Sequence, residues 1–223
     1  MNSRHIASLL SFSLVLSCLA QSPQDKHLQE VQQQFDQLKE KLDQLSGMLE
    51  HAKLAVMDHD LAQWGYPALG PNELVVVHPG HALVWDDVHH IPKWTAHIIT
   101  PDVDQGNLAR IDTFLPDALV KGNTALVNSY WNSGYDRGHM VPSADMRWSL
   151  DALKATYLYS NISPQKSELN RGAWADLEDW MRRYVHYSGH RVYVVTAPIP
   201  SPDMPLLKTT KSIVDVSVPP YFF

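Results

Sequence analysis

Cysteine is nearly absent. Cys18 is the only one in 223 residues, which excludes a disulfide framework or a cysteine-built zinc site within one chain. An excess of positive charge is missing too. The formal net charge is −6, with 18 Lys and Arg against 24 Asp and Glu, which argues against a broad basic surface. Part of that deficit is local: residues 1–60 carry five basic against eight acidic side chains, leaving 13 against 16 for the remainder. The apolar run from Ile6 to Leu19 is too short to span a bilayer, and no internal repeat is present. What remains is ordinary for a globular protein. Hydrophobic residues make up 44%, enough for a sizeable core, and the length suits one domain plus an accessory segment.

Histidine is plentiful, with 12 in the chain. His89-His90, and His186 with His190, invite a zinc-hydrolase reading. Neither pair has carboxylate or histidine company at a recognised metal spacing, so both read as surface or satisfied core histidines.

The first 20 residues hold Arg4, an apolar and serine-rich run, and no acidic residue before Asp25. This reads as a signal peptide over 1–20 and hence an extracytoplasmic location. Val15-Leu16-Ser17-Cys18 resembles a lipoprotein cleavage site, which would anchor the chain by a lipid on Cys18. Cleavage after Ala20 is the alternative, and a mitochondrial presequence ranks third. Over residues 25–60 the pattern changes. Leu28, Val31, Phe35, Leu38, Leu42, Leu45 and Leu49 alternate spacings of three and four, the seam of a coiled-coil helix and a basis for homo-oligomers of two or three chains. An amphipathic helix packed on its own domain is the competing reading. The Gly- and Pro-bearing stretch from Trp64 to Pro71 reads as a hinge.

Beyond it, Leu74–Val77 and Ala82–Trp85 read as a hairpin turned at His78-Pro79-Gly80-His81, with a further strand at Trp94–Ile99. Ala152–Tyr159 is apolar enough for a buried helix or strand. Asn170 opens a helix through Tyr184, and Arg191–Ala197 is a β-branched strand. Strands gather before and after the helices rather than alternating with them, the signature of an α+β domain over residues 72–223.

The densest chemistry lies in Tyr135-Asp136-Arg137-Gly138-His139-Met140-Val141-Pro142. Histidine is the default general base near neutral pH. Arginine offers a fork that matches phosphate. Gly138 would let the backbone turn so that Arg137 and His139 converge. A surface turn in which Asp136 merely pairs with Arg137 is the plain alternative. Tyr159-Ser160-Asn161-Ile162-Ser163-Pro164-Gln165, Leu169-Asn170-Arg171-Gly172-Ala173-Trp174 and Leu177-Glu178 follow in order. Together these segments resemble the DNA/RNA non-specific endonuclease family, from about Leu74 to the C-terminus.

The resemblance implies a ββα-metal (His-Me finger) fold with a central antiparallel sheet, and cleavage of DNA and RNA to 5′-phosphate ends. It implies His139 as general base and Asn170 as the direct ligand of Mg²⁺, with Mn²⁺ as a substitute and no small-molecule cofactor. Glu178 would hold metal-bound water. Arg137, Arg110 and Arg182 would meet phosphate, and Asn161 would contact substrate or shape the cleft. If the helix were regular, Glu178 would lie about 80° round and ~12 Å along from Asn170, sharing a cleft but ill placed to share an ion directly. The other reading of Asn170 is a helix N-cap. Trp174 reads as core rather than as a base-stacking platform. Two departures stand out. The family usually continues past the final strand, whereas this chain ends at Tyr221-Phe222-Phe223, so the domain is expected to be shortened and its last apolar strand unpartnered. Ala197 stands where a glycine is common. A nuclease-like protein that binds nucleic acid without cutting it is therefore the alternative function.

Overall fold

The structure, a computed structural model, describes residues 22–120, 129–209 and 214–223. The expected signal peptide over 1–20, with Cys18, lies outside the described residues. The chain divides into a unit ending at Leu49 and a second unit comprising Glu50–Phe223. Helix α1, Pro23–Trp64, contributes to both.

In the first unit, Pro23 sits at the first helical position, where its missing N–H costs nothing. Ser22 and Asp25 close a capping box: the Asp25 N–H donates to Ser22 Oγ at 3.1 Å, and the Ser22 N–H donates to Asp25 Oδ2 at 3.0 Å. The seam residues from Leu28 to Leu49 are exposed.

The second unit begins inside the helix, whereas the sequence placed the hinge at 64–71. The reason is burial. Leu54, Met57 and Leu61 pack with Val84, Trp94, Ala96 and Ile98, so the last turns of α1 belong to the core of this unit. Tyr66, within the expected hinge, stacks on Trp94 with ring centroids 5.7 Å apart.

The central sheet is antiparallel with strand order β1-β2-β3-β6. Its strands are β1 (Val75–His78), β2 (His81–Asp86), β3 (Ile91–Ile99) and β6 (Val192–Thr196). Pro79-Gly80 makes the two-residue turn between β1 and β2, and Gly80 takes φ +81°, a region that glycine adopts without a Cβ penalty. Val84 faces the end of α1, while Leu83 and Trp85 pack on the other side with Val120, so the sheet is covered on both faces. This is the α+β architecture read from the sequence.

Four further pieces build the site. Strands β4 (Asp136–His139) and β5 (Ile162–Gln165) form a separate two-stranded ribbon. Helix α2, Leu150–Thr156, is the buried Ala152–Tyr159 segment, and Ser149 caps it by accepting from the Ala152 N–H at 3.2 Å. Asn170 does not open a long helix. It ends the short helix α3 (Ser167–Asn170), and α4 runs separately from Ala173 to Ser188. Gly172 stands at the N-cap position, so the N-cap reading of Asn170 falls, as does the regular-helix estimate of its relation to Glu178. The final apolar strand has a partner after all: β8 (Tyr221–Phe222) pairs with β7 (Pro198–Ile199), extended by reciprocal bonds between Ala197 and Phe223.

Candidate active site

The Asp-Arg-Gly-His motif is a strand, not a turn. In a strand, side chains two apart share a face, so Arg137 and His139 come together without any special conformation at Gly138. The glycine serves a different need. A Cβ at Gly138 would lie 2.3 Å from Cδ of Gln165, so the missing side chain is what lets β4 lie against buried Gln165.

Asn161 fixes where that strand ends. Its Oδ1 accepts from the Val141 N–H at 2.9 Å, and its Nδ2 donates to the carbonyls of Val141 at 3.1 Å and Thr156 at 2.9 Å. The side chain is fully buried and does not line the cleft. It stands in for a neighbouring strand and holds the segment just past His139.

His139, Asn170 and Glu178 line one cleft of about 740 Å³ together with Arg110, Arg137 and Arg171. Phe114 is the shared support. The Arg137 guanidinium carbon lies 4.2 Å above its ring, and the His139 ring centroid lies 5.4 Å from it. Tyr157 holds the imidazole from another side, edge-on at 4.9 Å. His139 Nε2 is shut off from water and has no hydrogen-bond partner. Burial, with the guanidinium charges of Arg110 and Arg137 nearby, pushes the imidazole pKa down to about 3, so it is neutral at physiological pH. With Nε2 enclosed, Nδ1 is the ring nitrogen left to meet water in the cleft, and in the neutral imidazole it can accept a proton.

On the same strand, Asp136 organises two side chains. Asn170 Nδ2 donates to Asp136 Oδ2 at 3.0 Å, and Arg171 donates to both carboxylate oxygens at 2.8 Å. These donors, the arginine first, keep the Asp136 carboxyl below its ordinary range. A carboxylate only accepts, so the nitrogen end of the Asn170 amide faces Asp136 and the oxygen is the end left over. Glu178 behaves oppositely. Burial first, then the nearby Asp145 charge, raises its pKa to about 7 against the pull of Arg182. Asp145, itself buried, joins three elements: His97 on β3 meets its Oδ2 at 2.9 Å, and Arg182 on α4 donates to its Oδ1 at 2.9 Å. Arg182 is thus engaged behind the cleft rather than lining it.

This donor set fits a hard, hydrated cation. Among the described residues no group of three or more His, Cys, Asp or Glu could hold a metal ion, so an ion here would rest on few protein oxygens and on water. Mg²⁺ is commonly held that way, and the free amide oxygen of Asn170 with the carboxylate of Glu178 supplies suitable ligands.

The structure therefore brings Arg110, Arg137, His139, Asn170 and Glu178 to one cleft, and sets Asn161 and Arg182 behind it. Sequence reasoning passed over Arg171 and the supporting rings of Phe114 and Tyr157. Arg171 had a signal, since it sits beside Asn170. The rings had none, because nothing local ties them to β4. His186, by contrast, meets Asp104 at 2.8 Å and His89 meets Asp86 at 2.8 Å, both apart from the cleft.

Comparison with known proteins identifies the family. The family model for DNA/RNA non-specific endonucleases matches residues 59–223. The nuclease of Nostoc sp. is 34% identical over 140 residues, covering 62% of this chain and 50% of that protein. Mitochondrial nuclease 1 of Schizosaccharomyces pombe is 37% identical over 142 residues, covering 61% and 43%. The nuclease of Serratia marcescens is 33% identical over 158 residues, covering 66% and 56%. The chain spans about half the length of the curated relatives it matches. Among solved structures, a chain of the EndoG/EndoGI complex superposes with a TM-score of 0.60 at 28% identity, covering 72% of this chain and 68% of that one. The α+β core with its central antiparallel sheet is that of a ββα-metal nuclease. The chain belongs to the DNA/RNA non-specific endonuclease family.

Proposed function

We propose that the chain is a metal-dependent endonuclease that hydrolyses the phosphodiester bonds of DNA and RNA. The observation that carries this is a neutral His139 lining one cleft with three arginines, Asn170 and Glu178. Family membership, and the printed names of relatives as nucleases, support the same reading.

Arg137, braced on Phe114, and the more exposed Arg110 hold the phosphate in the cleft, which Arg171, paired with Asp136, also lines. His139 takes the proton from a water as that water attacks phosphorus. The Asn170 oxygen and the Glu178 carboxylate would hold Mg²⁺ or Mn²⁺, Glu178 by way of metal-bound water. Held there, the ion would supply charge stabilisation to the phosphoryl oxygens and the departing 3′ oxygen. Products carry 5′-phosphate and 3′-hydroxyl ends. Arg182 acts through Asp145 and Glu178 rather than on substrate directly. The apolar segment before Asp25 supports placement outside the cytoplasm, by secretion or by a lipid on Cys18.

Purified protein incubated with plasmid and with RNA, in Mg²⁺ and in EDTA, beside His139→Ala, tests the proposal. Removal of the base is expected to slow cleavage ~10²–10⁴-fold. Oligonucleotide binding without turnover in either Mg²⁺ or Mn²⁺ would favour the binding-protein alternative instead.

A further inference from the structure

Six apolar side chains of α1, Leu28, Phe35, Leu38, Leu42, Leu45 and Leu49, lie 53–67% exposed along one narrow stripe. Val31 completes the alternation of three and four. So long an uncovered seam on a regular, capped helix needs a partner to remove it from water.

The polar residues flanking the seam identify the partner. Taking Leu28 as the first position of a heptad, the inner flanks are Gln32, Lys39 and Ser46 on one side and Gln34, Lys41 and Met48 on the other. If a second copy ran antiparallel with full overlap, Lys39 would face Lys39 and Lys41 would face Lys41. If it ran parallel and in register, Gln34 would meet Lys39 and Lys41 would meet Ser46, with no like-charge pair. The stripe also stays narrow: outside Met48 the flanks are polar, which suits two strands rather than larger bundles that bury their flanks. A lipid surface fits poorly. Residues 23–49 carry three lysines against five carboxylates, where an interfacial helix needs a basic polar face. Gly47 falls on the outer side of the heptad, where it costs helix propensity but no packing.

We propose that residues 28–49 form a parallel, in-register, two-stranded coiled coil with a second copy of this chain. The assembled particle then carries two candidate cleavage clefts, a valency the cleft itself does not require.

Light scattering of the full chain measures the mass. The proposal expects twice the 25.2 kDa chain mass at micromolar concentration, falling to a single chain in Leu38→Asp/Leu42→Asp with the circular dichroism of the second unit retained. Orientation is read by oxidation in a Cys18→Ser background. Leu28→Cys alone should cross-link to itself in high yield, and a mixture of Leu28→Cys with Leu49→Cys should give no heterologous product beyond chance pairing. A monomeric wild-type chain, a trimer, cross-linking only in the mixed sample, or a monomer captured by anionic vesicles would each overturn it. None of these readouts depends on cleavage, so an inactive dimer would count against the proposed function and not against the coil.

Discussion

Asn170 and Asp136 are 34 residues apart in sequence, yet the Asn170 amide nitrogen donates to Asp136 Oδ2 at 3.0 Å. This one bond decides which end of the amide is free. Arg171, on the same carboxylate, locks the acceptor in place. A residue of the motif strand thus sets the orientation of the metal-ligand candidate at the end of α3.

Asp136→Ala should therefore behave as a metal-site variant although Asp136 itself is not proposed as a ligand. Partners that orient metal ligands typically cost ~10–100-fold in metal affinity or activity when removed. Titration of plasmid cleavage with Mg²⁺ is expected to show a higher half-maximal concentration. Combining Asp136→Ala with Asn170→Ala should add little beyond Asn170→Ala alone. Full additivity would show that the two residues act independently.

Glu178 yields a pH prediction. Its folded pKa of about 7 lies above the ordinary 4.5. Between those values the folded chain holds a proton that the unfolded chain releases. The stabilisation this gives is complete below pH 4.5 and is lost as pH rises through 7. A cation must displace that proton, so its affinity should improve as pH rises toward 7, by up to about tenfold per unit, and then level off. Mg²⁺ titrations at pH 5.5, 6.5 and 7.5 check this, and Glu178→Gln should flatten the dependence. The same variant should gain thermal stability over wild type as pH rises from 5 to 8.

Two positions near the motif are structural in origin. Gly138→Ala drives a Cβ to 2.3 Å from Gln165, and overpacking of this kind costs about 1–3 kcal/mol. Asn161→Ala leaves the buried Val141 N–H without its 2.9 Å acceptor, at a cost of about 1–3 kcal/mol for that group. Urea unfolding reads both. A stability unchanged by Asn161→Ala, with activity lost, would instead make Asn161 a substrate contact.

The strands and helices were legible because their patterns are local. β-branched runs, a Pro-Gly turn and alternating apolar residues each lie within a few positions of one another. The motif residues were legible for a different reason: His139, Asn170 and Glu178 stand in compact, ordered segments with distinctive chemistry. What escaped depends on distance. Phe114 reaches Arg137 and His139 only through tertiary packing. The Asp145 link to His97 and Arg182 spans three elements. The start of α4 was misplaced because the apolar and polar spacing runs through Asn170 without pause, while the backbone breaks at Arg171-Gly172. Gly138 escapes for a similar reason, since a glycine beside a charged pair suggests a turn and the facing Gln165 is distant in sequence.

His81 on β2 supplies a stability prediction outside the cleft. It is 0% exposed, and burial first, then the neighbouring His78 and His97, pushes its pKa down to about 3. Below pH 6.5 the unfolded chain gains a proton there that the folded chain refuses, so stability falls as pH drops from 6.5 toward 3. The slope is up to about 1.4 kcal/mol per pH unit from this group. Chemical denaturation at pH 7.5 and pH 4.5 should show the loss, and His81→Phe should reduce the difference between the two.

The central claim is that His139 is the proton acceptor, and chemical rescue tests it most directly. His139→Gly should lower the rate of plasmid cleavage ~10²–10⁴-fold with oligonucleotide binding retained. Added imidazole should restore part of that rate in proportion to its unprotonated fraction. Cleavage that survives the substitution within a few-fold, or a lost rate restored equally by protonated and neutral imidazole, would contradict the claim.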